Sequence, residues 1–171
     1  MMALWAVEHD CSYDVKCLLL TFLTLSLVVG GAAVSGMTPP DPAVHWPGHK
    51  WIHFMKRAHV VMSVGSFLIE VCAFSFSLFA LQRVLAGNFN MYAKSPAVLL
   101  VRELEFEYVA VCSYAFGGTW LLMGPVAIRC FCMVQQGLRS DALAAAVCCL
   151  IVGGVLLVLS FFNESILEAF P

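Results

Sequence analysis

The stretch HWPGHKWIHFMKRAH, from His45 to His59, carries four of the chain's five histidines at spacings of four, four and six. His49 and His53 stand one helical turn apart, so with His45 or a carboxylate they have the spacing of a metal site. A helical wheel offers the competing reading. At about 100° per residue, Trp51, Phe54, Met55 and Ala58 fall on one side, and His49, Lys50, His53, Lys56 and Arg57 on the other. That is the pattern of an amphipathic helix lying in a membrane interface, with Trp46 and Trp51 as headgroup-level anchors and Lys50, Lys56 and Arg57 toward lipid phosphates. The interfacial helix, at about residues 48–57, is preferred; no metal is predicted, and His45, His49 and His53 stay as secondary ligand candidates. A bis-histidine haem needs histidines on two facing spans, and only the second apolar run has one, His59.

The second unusual residue is Glu70, a carboxylate near the middle of the apolar run Ala58 to Leu81. An ionised side chain at that depth costs about 2.5–3.5 kcal/mol on insertion scales, so it should face protein or water rather than lipid. His59, Ser63, Ser66, Glu70, Ala73, Ser77 and Ala80 recur at three- and four-residue steps, one stripe of small or polar residues among Val, Phe and Leu. Such stripes let helices approach closely and hydrogen-bond to one another. Matching packing surfaces are expected at Ala110, Ser113, Gly117 and Gly124, and at Ala145, Cys149 and Gly153; Tyr114 and Thr119 are the expected donors to Glu70. The simpler role for Glu70 is a protonated packing group; the functional one is a proton or ion relay through His59 and Glu70.

What must position these residues follows from composition. The 171 residues are 61% hydrophobic and 12% charged, with mean hydropathy +0.90, where soluble domains carry about a quarter of charged residues. Four apolar runs, at about 17–35, 58–81, 108–128 and 142–162, are each long enough to cross a hydrocarbon core of about 30 Å as a helix. They lack the alternation of a membrane barrel. The expectation is therefore an all-α integral membrane protein, a single domain over 1–171. It forms a four-transmembrane-helix bundle, with the short interfacial helix before its second span.

The connectors add detail. Pro39, Pro40, Pro42 and Pro47 make the first an extended linker. Ser95-Pro96 reads as an N-cap followed by a first-turn proline, so the third helix should start near Pro96, with Glu103, Glu105 and Glu107 at a solvated end. Gly124-Pro125 should kink the same helix, and Ser140 should cap the fourth. Four spans put the termini and the second connector on one side. That side carries eight carboxylates and four basic residues, against two and five on the other. The near-equal basic counts leave orientation open.

The first run ends in Ala33-Val34-Ser35, a small-residue cleavage pattern, but an acidic start with only Lys16 basic is wrong for a signal peptide. Eight cysteines do not make a disulfide framework here, because Cys72, Cys112, Cys148 and Cys149 fall inside apolar runs. Cys130 and Cys132 beside Arg129 suggest S-palmitoylation. Asn163-Glu164-Ser165 fits a glycosylation acceptor but abuts a span. A net charge of −2 gives no reason to invoke nucleic acid.

The resulting functional expectation is an accessory or scaffolding subunit of a membrane complex, or a self-associating tetraspan, rather than an enzyme. Its partners would be the lipid bilayer and other membrane subunits or itself. The alternatives are a proton- or ion-coupled channel or carrier using Glu70 and His59, and a subunit binding a metal or pigment.

Overall fold

The computed structural model describes residues 9–40, 49–87, 90–138 and scattered positions between 142 and 157. Its described part is helical apart from one small sheet. Helix α1 runs Ser12–Ser35, α2 His49–Leu85 and α3 Pro96–Leu138, and further helical residues lie within Ala145–Gly154 (α4). Helices α1, α2 and α3 are each long and apolar enough to cross a membrane. Two-residue strands β1 (His9–Asp10) and β2 (Tyr92–Ala93) pair antiparallel, with His9 opposite Ala93. The start of α1 is thereby held to the connector between α2 and α3, which fits these segments sharing one side.

Helix α2 is the centre of the bundle, packed against both α1 and α3. Its 37 residues span about 55 Å at 1.5 Å per residue. The expected separate interfacial helix is not present as its own element: α2 continues from His49 into the apolar run. No glycine or proline stands between Lys50 and His59 to stop it. Trp51 and Phe54 are exposed and meet edge to face at 5.8 Å. His53 and Arg57 are exposed with them. His45 and Trp46 lie outside the described residues, as do the side chains of His49 and Lys50.

The start of α3 is as expected. Ser95 Oγ accepts from the Val98 amide at 3.3 Å, with Pro96 in the first turn, where its missing N–H leaves nothing unpaired. The break in α3 falls elsewhere than expected. The backbone keeps helical dihedrals through Pro125, whereas Leu104, at φ −137° and ψ 34°, leaves the helical region. Its side chain is buried among Leu100, Val84 and Tyr108. Before the break, the exposed Arg102 donates to the Asn90 carbonyl at 2.7 Å and to Glu103 Oε1 at 2.9 Å, tying the first turns of α3 to the connector.

Two apolar cores result. One gathers Cys11, Val15 and Leu19 from α1 and its approach, Ala80 and Val84 from α2, Ala93, and Leu99, Leu100, Leu104 and Tyr108 from α3. Burial raises the Cys11 thiol above the ordinary cysteine range, so it packs as a small protonated hydrophobe. The other core joins Val29 and Ala33 of α1 to Leu122 of α3, with Phe67 and Val126 against it. No disulfide joins the seven described cysteines. Cys132 is buried and Cys130 half-buried.

Glu107 also departs from expectation. Rather than capping a solvated end it is 7% exposed and forms an ion pair with Arg83, joining α2 to α3 beside the first core. Because Arg83 is 40% exposed, the pair is partly screened. Arg83→Gln leaves a buried carboxylate without its cation and should cost about 1–3 kcal/mol. Adding Glu107→Leu should recover most of that loss, since removing both charges removes the desolvation penalty as well. Unfolding midpoints of the two variants in mixed detergent would check this; a double variant no better than the single one would refute it.

Candidate functional site

The polar residues of α2 form one face, and that face is the one the bundle encloses. His59, Ser63, Ser66, Ala73, Ser77 and Ala80 are fully buried, and Glu70 is 1% exposed. Residues between them, such as Val61, Leu68 and Phe79, point outward. The three-and-four spacing therefore turns one row of side chains toward α1 and α3.

Glu70 sits between the two apolar cores at a narrow waist. A Cβ built on Gly30 of α1 would lie 3.6 Å from Glu70 Cβ, and one on Gly118 of α3 would stand 2.8 Å from both Cγ and Cδ of Glu70. Glycine on either side thus makes the room for the carboxylic side chain, and at Gly118 no larger residue fits as the atoms stand. The backbones are joined at the same level by Ser66, whose hydroxyl donates to the Gly118 carbonyl at 2.8 Å. The pattern repeats nearer His59: a Cβ on Gly124 would come within 2.9 Å of Met62 Cε, and one on Gly65 within 2.8 Å of Leu121 Cδ2.

The hydroxyls of Ser26 and Thr119 face the carboxyl, but neither completes a hydrogen bond to it. Thr119 Oγ1 donates to the Ala115 carbonyl at 2.8 Å, and Ser26 Oγ has no partner. Both carboxyl oxygens of Glu70, with Ser63 Oγ, Ser77 Oγ and His59 Nδ1, are likewise buried without a hydrogen-bond partner. Each such group forfeits about 1–3 kcal/mol. His59 is held from its other nitrogen, Nε2–H donating to the Gly36 carbonyl at the end of α1. Nearby, Arg129 Nη2 donates to Thr38 Oγ1 at 3.4 Å, so α2 and α3 both grip the first connector where it begins.

Of the expected stripe on α3, Gly124 stands against Met62, while Ala110, Ser113 and Gly117 lie beside the buried row. That row is Glu107, Tyr108, Val111, Ala115, Gly118, Leu122 and Pro125. Ser113 is exposed, while Ala110 and Gly117 are half-buried. Gly117-Gly118 is ambiguous in sequence because adjacent glycines fit either row, and the packing selects Gly118. Tyr114 does not reach Glu70 either; its ring stacks on Phe76 at 5.7 Å. Ser26, Gly30 and Gly118 are the site residues sequence reasoning missed; the signal for them is small residues at helical spacing, Ser26 and Gly30 four apart and Ala115 and Gly118 three apart. On α4, Ala145 and Cys149 are exposed and Gly153 is half-buried. Among the described residues, no group of three or more His, Cys, Asp or Glu side chains is placed to hold a metal ion.

No protein-family model matches the chain, and neither the curated proteins nor the solved structures contain a significant match. The site must therefore be read from its own geometry.

That geometry makes Gly118 and Gly117 a paired test. Gly118→Ala should destabilise the bundle by about 1–3 kcal/mol, since Glu70 must leave its place. Gly117→Ala, whose Cβ would meet only Ile69 Cγ2 at 4.0 Å, should be neutral or slightly stabilising through helix propensity. Equal unfolding midpoints for the two variants would contradict the packing described.

Proposed function

We propose that the chain is a four-span membrane protein that works as an accessory or scaffolding subunit of a membrane complex, or as a self-associating tetraspan. The observation that carries this reading is a set of small residues on α3 that the described bundle covers only in part. Ala110, Ser113 and Gly117 lie beside the buried row rather than in it, with Ser113 outward. Lipid asks for no such row, since lipid tails pack as well on Leu as on Ala; close approach of another helix does. Only 28%, 28% and 22% of the most apolar windows of α1, α2 and α3 are buried within the chain. That leaves ample outer surface for association.

A carrier is the second reading, supported by the unpartnered polar groups of the α2 face. His59 and Glu70 are eleven residues apart on one helix, about 16 Å, with Ser63 and Ser66 between them. Water would have to join the hydroxyls into a path. The apolar core formed by Cys11, Leu19, Ala80 and Leu100 closes the opposite end.

The two readings separate in reconstituted vesicles. Ser113→Cys should give an intermolecular disulfide or a cross-link to a copurifying subunit, and Ser113→Trp should disperse the larger species. A single monomeric species without partners in mild detergent would refute the scaffolding reading. Glu70→Gln should leave proton and ion flux unchanged; a flux in the wild type that this substitution abolishes would establish the carrier instead.

A further inference from the structure

The polar face of α2 is unequally furnished on the two sides of Glu70. Toward the first connector it carries Ser66, Ser63 and His59, at helical rises of about 6, 4.5 and 6 Å from one polar group to the next. Ser63 and His59 are fully buried, and Ser63 Oγ and His59 Nδ1 have no hydrogen-bond partner. One water, making two hydrogen bonds of about 2.8 Å each, bridges gaps of that size once the His59 and Glu70 side chains add their reach. Helix α1 lines this half with small residues: Gly30 against Glu70, the buried Ala33, and Gly36, where a Cβ would stand 3.9 Å from Ser63 Oγ. The smaller apolar core of Val29, Ala33 and Leu122 flanks the row without giving those groups a partner. On the other side of Glu70 the next polar group is Ser77, about 10.5 Å further on, with Ala73 between them. There α1 presents Val15 and Leu19, and α3 Leu100 and Leu104, all buried, so the row ends in apolar packing.

We propose that Glu70 is a proton-binding site reached from one side only, along Ser66, Ser63 and His59 from the end of α1. The carboxyl lies against Gly118, so its proton travels along the inner face of α2 rather than through lipid. Ser66 donates to the Gly118 carbonyl, which leaves its oxygen free to accept. His59 stands at the outer end of the row. Because the Gly36 carbonyl can only accept, Nε2 carries the imidazole proton and Nδ1 is a free acceptor. On release, Nδ1 takes up the proton that leaves the Glu70 carboxyl, while Nε2 gives its own to water; uptake runs the same steps backwards. Two residues beyond Gly36 the chain reaches the exposed Thr38. The charged groups at this end are Arg129 of α3, bonded to Thr38, and Lys56 and Arg57 of α2. Helix α1 has none over 17–35 and α3 none over 108–128. Such a site follows the acidity of one compartment without passing protons to the other. It rests on the helices crossing a bilayer, and not on association with other subunits or on transport.

Infrared difference spectroscopy of the full chain in phosphatidylcholine vesicles tests this. It reads the carbonyl band of protonated Glu70, identified by its loss in Glu70→Gln. The band should fall as pH is raised, return as pH is lowered, and shift on transfer to deuterium oxide. Ser63→Val should slow that shift about tenfold or more, whereas Ser63→Thr, of equal bulk but keeping the hydroxyl, should not. Ser77→Val and Ser77→Thr should both exchange at the wild-type rate. If the added methyl group unfolds both Ser63 variants, Ser63→Ala against Ser77→Ala, each at an unchanged melting temperature, makes the same comparison. The proposal is overturned if the wild type shows no titrating band, if the band never exchanges, or if Ser63→Val exchanges at the wild-type rate. It is equally overturned if Ser77→Val slows exchange as much as Ser63→Val, or if sodium at fixed pH abolishes the band, since the site then takes a metal cation. Exchange without net flux upholds the site and refutes the carrier reading. Flux that Glu70→Gln abolishes, with equal sensitivity at 63 and 77, establishes carriage and overturns one-sided access.

Discussion

One buried carboxyl is the constraint around which this bundle packs. Helix α2 is long and apolar enough to cross a membrane, and in such a setting Glu70 would have no water to turn to and facing lipid would cost several kcal/mol. The lower-cost arrangement puts it against protein, which requires two neighbouring helices to come close at that level. Gly30 on α1 and Gly118 on α3 supply the clearance. Once that contact is set, the rest of α2 has little rotational freedom. The face carrying His59, Ser63, Ser66, Ala73, Ser77 and Ala80 must follow Glu70 inward, and the intervening Val, Leu and Phe side chains go outward.

Enclosure is nonetheless incomplete in chemical terms. The bundle hides the polar face from its surroundings but gives few of its groups a hydrogen bond: Ser66 and one nitrogen of His59 are satisfied, while Ser26, Ser63, Ser77 and both oxygens of Glu70 are not. Buried polar groups in native proteins are almost always paired. The apolar cores on either side of the waist carry the packing energy, so the waist can retain this deficit without unfolding the bundle.

Much of this was legible in the sequence. The stripe on α2 was readable because helical geometry maps three-and-four spacing onto one face, whatever surrounds it. The N-cap at Ser95 was readable because capping is local chemistry. Readings that needed partner geometry fared worse. The contact row of α3 is expected to include Gly117, and only the approach of Glu70 selects its neighbour Gly118. Glu107 looked solvated because its cation, Arg83, is 24 residues away in sequence and meets it only once α2 and α3 pack. The break at Leu104 has no glycine or proline to announce it. The continuity of α2 through residues 49–57 was hidden by an amphipathic pattern that a separate interfacial helix would share.

The central claim is that the Glu70 face of α2 is turned inward between α1 and α3 within a bilayer. A nitroxide placed at each position from 59 to 80 in turn, with its accessibility to oxygen measured in lipid vesicles, tests that claim most directly. The account predicts minima at 59, 63, 66, 70, 73, 77 and 80, with maxima at 61, 68 and 79, following the helical period. A flat profile, or one whose maxima fall at 66, 70 and 77, would contradict it.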